Sequence, residues 1–77
     1  MLIKSSNYWL RKRKKRPDIT DDMIEYCIAN SNKLKDRTWE EVWNTITRIP
    51  PSGRLLKTVY KEKGKSIKII ITAYWLD

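Results

Sequence analysis

The spacing of apolar positions changes character along this chain. Up to residue 32 they recur at helical intervals; from Val42 onward β-branched and aromatic residues gather in short runs separated by turn residues. Residues 1–5 predict a short strand, with Leu2 and Ile3 as its apolar content. Residues 8–16 then read as a helix entered from Ser5 or Ser6 as N-cap, with Tyr8, Trp9 and Leu10 as its apolar residues. Pro17 ends it, because the residue before a proline is pushed out of the helical region.

A second helix is marked more sharply. Thr20 is suited to the N-cap, and Asp21, Asp22 and Glu25 load the first turns with the negative charge that the helix dipole favours. Ile19 and Ile24 are spaced as a hydrophobic staple. Met23, Ile24, Cys27 and Ile28 form an apolar stripe, which fades at Ala29 and stops at Asn30, Ser31 and Asn32.

The stretch 33–41 is polar and fits either the start of a strand or a loop. Three strands follow, over roughly 41–49, 54–61 and 66–75. Pro50, Pro51, Ser52 and Gly53 supply the first turn, and Glu62, Lys63, Gly64 and Lys65 a tight hairpin. The order β-α-α-β-β-β predicts a single α+β domain over residues 1–77. Two N-terminal helices pack on one face of a four-stranded antiparallel sheet.

Alternation then assigns faces. In the last strand Ile67, Ile69, Ile71, Ala73 and Trp75 are expected against the helices, joined by Leu56, Thr58 and Tyr60 when residue 60 pairs with 67. A four-residue loop between Ile49 and Arg54 sets Arg48 opposite Leu55 and Ile46 opposite Lys57. The open face then displays Asn44, Ile46, Arg48, Leu55, Lys57, Val59, Lys68, Ile70, Thr72 and Tyr74. A one-residue bulge would invert part of it.

Charge brings in function. Seventeen Lys and Arg face nine Asp and Glu among 77 residues, a formal net charge of +8. Such a surface attracts polyanions over about 8 Å at physiological salt. Six of the cations, Arg11, Lys12, Arg13, Lys14, Lys15 and Arg16, are consecutive. That clustering favours nucleic acid over simple solubility. The run has cations all round the helix and lacks the wide apolar face of a membrane anchor. The chain has no histidine and one cysteine, Cys27, so a zinc or copper site and an internal disulfide are not expected. Without a membrane span or signal stretch, the expected location is cytoplasmic.

The segments RPDITDDMIEYCI, RIPPSGRLLKTVY and the closing IKIIITAYWLD, after a basic first helix, resemble small RelE-like domains of the RelE/ParE/BrnT toxin superfamily. The resemblance runs over nearly the whole chain, and its most specific parts are the opening of the second helix and ITAYW. It implies a toxin-type, metal-independent endoribonuclease cutting RNA, messenger RNA on the ribosome, and an antitoxin protein covering the toxin. Where such domains commonly carry a histidine before the first helix, this chain has Asn7 or Tyr8.

Cleavage by the 2′-hydroxyl needs a base, charge stabilisation at phosphorus and an acid for the leaving oxygen, and no cofactor. Arg48, Lys57, Lys68 and Tyr74 are the candidates for these roles. Arg54 joins residues 11–16 as a candidate phosphate contact. Two other classes stay open: a binding module without catalysis, and a protein adaptor using the open face.

Overall fold

The computed structural model describes residues 1–64 and 66–77. Strand β1 (Leu2–Ser5) leads into helix α1 (Asn7–Lys12), a 3₁₀ turn (Arg13–Lys15) and helix α2 (Asp21–Ala29). A two-residue strand β2 (Leu34–Lys35) precedes the long strands β3 (Val42–Ile49), β4 (Arg54–Lys63) and β5 (Ile67–Trp75). The class is α+β with both helices ahead of the long strands, as the pattern predicts.

The sheet differs from the expected one in two ways. It has five strands in the order β1-β5-β4-β3-β2, and it is mixed, because β1 runs parallel to β5. Side-chain alternation carries no information about strand direction, which is why β1 was expected antiparallel like the rest. The fifth strand comes from the undecided stretch 33–41, where Leu34 pairs with Asn44 and Lys35 with Trp43.

Both helix starts form as the capping residues dictate. The Ser6 hydroxyl accepts from the Trp9 N–H at 3.1 Å, and that of Thr20 accepts from the Met23 N–H at 3.2 Å. Ile19 and Ile24 are both buried, as the staple requires. The first helix is shorter than 8–16, ending as α-helix at Lys12 and tightening into the 3₁₀ turn. Stacked like charges at i, i+3 and i+4 disfavour continuing it, and Pro17 forces Arg16 out of helical geometry, to φ −132° and ψ 58°.

The core lies between the helices and one sheet face. Trp9, Ile24, Cys27, Leu56, Ile70 and Ala73 are fully buried, with Tyr60, Ile19 and Ile49 nearly so. In β3–β4 the expected register holds: Arg48 faces Leu55 and Ile46 faces Lys57. In β4–β5 it does not. Strand β4 runs on to Lys63, so Lys63 pairs with Ile67 and Tyr60 with Ile70, not Ile67. Gly64 sits at φ +70°, and the fourth expected hairpin residue, Lys65, lies outside the described residues.

A bulge at Ile71 completes the correction. Tyr60 pairs with Ile70 and Val59 with Thr72, leaving Ile71 without an opposite number. The extra residue switches the alternation of β5. Lys68 and Ile70, expected on the open face, therefore stand on the helix-bearing face with Tyr60. Ile67 and Ile69, expected against the helices, stand on the open face. Beyond the bulge Ala73 and Trp75 are on the helix side and Thr72 and Tyr74 on the open side, as predicted.

Candidate nucleic-acid interface

Strand pairing sets the open face out in cross-strand rows. Arg48 lies beside Leu55; Ile46, Lys57 and Tyr74 form the next row; Leu34, Asn44, Val59 and Thr72 the third; Val42, Lys61, Ile69 and Lys4 the fourth. No helix covers these rows, because α1 and α2 both pack on the opposite side. The face thus carries Lys4, Arg48, Lys57 and Lys61 within one sheet surface.

Arg16 joins them from the helix layer. Strand β1 pairs with β5 only as far as Ile70, so the edge of β5 beyond it is uncovered by strand. The Arg16 Nη1 caps that edge, donating to Thr72 Oγ1 at 3.2 Å and to the Ala73 carbonyl at 3.0 Å. Its guanidinium lies 5.9 Å from the centre of the Tyr74 ring, and the Lys57 ammonium lies 5.8 Å from the same centre. Two cations thus flank one aromatic ring, within the range of cation–π attraction. Arg16 Nη2 and Nε have no hydrogen-bond partner among the described residues. Such a group can hold a phosphate by its N–H donors and stack a base on an aromatic or guanidinium plane.

One carboxylate stands near these rows already engaged. Asp36 accepts from the Asn44 amide at 3.1 Å and from the Thr38 and Trp39 N–H groups at 2.9 and 3.0 Å. Those hydrogen bonds, the Asn44 one foremost, hold its pKa below the usual carboxylate value.

The candidate residues separate accordingly. Arg48, Lys57 and Tyr74 share the open face, though the Arg48 Nη1 donates to the Gly53 carbonyl at 2.9 Å. Lys68 does not belong with them. It sits on the helix-bearing face, 2.7 Å from Glu62, whose other oxygen pairs with Lys33. The hydrogen bonds from Lys33 and then Lys68 lower the Glu62 pKa. Tyr60 lies beside this group, and burial, with Glu62 adding to it, raises its phenol pKa.

The basic run also divides. Arg13 bonds Asp21 at 3.0 Å and Ser5 at 3.3 Å, and Lys12 lies 5.4 Å over the Tyr8 ring. Arg11, Lys14 and Lys15 are exposed, with no ion-pair partner among the described residues. Arg54 stacks 4.2 Å over Trp75 and lies 3.7 Å from Asp18, on the helix-bearing side. Sequence reasoning missed Lys61 and Trp39. Lys61 lies two alternation periods beyond Lys57 on β4, at the last residue of the expected strand, so alternation alone already put it on the open face; Trp39 sits in the undecided stretch.

No group of three or more His, Cys, Asp or Glu able to hold a metal lies among the described residues, and among them no helix is long and apolar enough to cross a membrane. No family model, curated protein or solved structure matches the chain.

Proposed function

We propose that this chain binds single-stranded RNA across its open sheet face. The observation that carries the reading is Tyr74 flanked by Arg16 and Lys57 on a face no helix covers. Arg48 and Lys61 extend the positive charge along the same strands, and the net charge of +8 draws the polyanion in. Arg11, Lys14 and Lys15, exposed on α1 and the 3₁₀ turn after it, provide a second, sequence-independent grip.

The test is an anisotropy titration of a labelled oligoribonucleotide at fixed salt. Lys57→Met and Tyr74→Ala weaken binding several-fold each while circular dichroism shows an intact fold. Affinity unchanged in both variants would remove the open face from the interface.

The Tyr74 group also favours a second reading, RelE-type cleavage. There the 2′-oxygen attacks phosphorus, a base takes its proton, the 5′-oxygen leaves with a proton from an acid, and a cation steadies the crowded phosphate. Arg16, Lys57 and Tyr74 are the groups on hand for those roles; Lys68 is not. Labelled RNA incubated with the protein, with and without translating ribosomes, separates the two readings. Defined cuts that vanish in folded Tyr74→Phe establish a ribonuclease. Salt-sensitive binding of intact RNA leaves a binding module.

A further inference from the structure

We infer that the cavity beside Trp39 is a subsite for one unpaired guanine base, at the end of the open face that carries the RNA track; this rests on the RNA-binding reading. The cavity holds about 370 Å³ and is lined by Thr38, Trp39, Glu40, Glu41, Val42 and Lys61. A single purine fits within that volume.

The backbone around Trp39 is tied down. The Asp36 N–H donates to the Val42 carbonyl at 2.9 Å, and the Val42 N–H to the Trp39 carbonyl at 3.3 Å. Asp36 takes the Thr38 and Trp39 N–H groups besides. On this fixed loop the indole is nevertheless 55% exposed. The plainer role for Trp39 is a lid on Val42, which is 1% exposed. The hollow beside it is open to solvent, and with the indole more than half exposed one of its surfaces stays free for a stacked base. The Lys61 ammonium, 5.9 Å from the Trp39 ring centre, adds a cation to the same wall.

The rim chooses the base. Neither Glu40 nor Glu41 has an ion-pair partner among the described residues. A carboxylate only accepts hydrogen bonds. On its Watson–Crick edge guanine presents two adjacent donors, N1–H and the 2-amino group, which match the two oxygens of one carboxylate. Adenine and cytosine present one amino group there and uracil one N–H. Two carboxylates also repel phosphate, so the cavity takes a base while the backbone lies toward Lys61 and Lys57. These lysines are four residues apart on one face of β4, about 13 Å at 3.3 Å per residue.

The experiment uses the whole chain and labelled octaribonucleotides: all-uridine, and the same with one central guanosine, adenosine or cytidine. The guanosine oligomer binds about tenfold tighter than all-uridine, within the range one stacked base supplies. Trp39→Ala brings the guanosine and all-uridine oligomers to one value; Trp39→Phe keeps most of the preference. A Glu40→Gln, Glu41→Gln pair loses the difference between guanosine and adenosine. Equal binding of all four oligomers by the unaltered chain, or a guanosine preference that survives Trp39→Ala, overturns the subsite and leaves the open-face reading standing. If none of the four binds, both fall.

Discussion

Lys68→Ala decides which face of the sheet that lysine serves. Lys68 is 13% exposed and its partner Glu62 20%, at 2.7 Å. That places the pair between exposed ion pairs, which contribute about 0–1 kcal/mol, and buried ones, whose rupture costs about 3–5 kcal/mol. Because Lys33 still pairs with Glu62 when Lys68 is gone, the loss belongs in the lower part of that interval, about 1–2 kcal/mol. For a domain of this size each kcal/mol moves Tm by about 4–8 °C, so the variant melts roughly 4–16 °C lower. Thermal melts followed by circular dichroism read this directly. A Glu62→Gln, Lys68→Ala double-mutant cycle isolates the pair, since the two changes together cost less than their sum. RNA affinity at a temperature where the variant is folded stays at the unaltered value. A variant that melts normally yet loses RNA affinity as far as Lys57→Met would refute the placement of Lys68 and the bulge behind it.

Glu62 and Asp36 both have depressed folded-state pKa values, so the stability they contribute is present above their unfolded pKa and lost as pH falls through the folded value. Acid melts of Glu62→Gln should therefore show a shallower fall below about pH 4.3 than the unaltered chain. Thr58 is fully buried and its hydroxyl has no partner among the described residues; Thr58→Val removes that unsatisfied group at constant shape and raises stability by about 1 kcal/mol, read as a higher Tm. With three to four phosphates neutralised on the open face, log affinity falls with log salt at a slope of about −2 to −3, which is roughly 20- to 50-fold between 50 and 200 mM; a flat salt profile argues against a phosphate track.

Local signals in the chain carried both helix caps, the staple, the β3–β4 register with Ile46 opposite Lys57, and the side of the sheet on which Tyr74 stands, though not its place beside Lys57. Each depends on residues within a few positions of one another, such as Thr20 before Asp21 and the Pro50–Gly53 turn between β3 and β4. The failures depend on what the chain meets at a distance. Ile69, Ile70 and Ile71 are apolar without a break, so nothing in β5 says where its alternation shifts, and Lys68 was carried to the wrong face with them. Six cations in a row likewise hide which of them turns toward the sheet. Arg16 does so because Pro17 breaks the helical path there and the unpaired edge of β5 offers a carbonyl to its guanidinium. Trp39 escaped notice because its loop is held by Asp36, a polar contact with no periodicity.

The aliphatic residues of the open face do not by themselves call for a partner. Val59, Ile67 and Ile69 are only half-buried although no helix lies over them. Ile69 stands directly opposite Lys61, and Lys4 stands beside it on β1. Lysine stems cover apolar surface while their ammonium groups reach water. Ile46 stands opposite Lys57 in the same way. Each lysine then has two roles, one in its stem and one in its charge, and truncation to alanine removes both. Methionine keeps an unbranched apolar stem and removes the charge. A loss of RNA affinity in Lys57→Met at unchanged Tm therefore reports on the ammonium alone, whereas the same loss in Lys57→Ala also reports on the bared Ile46. The case for a nucleic-acid face rests on where the charges converge, around Tyr74, and not on how much aliphatic surface the sheet leaves uncovered.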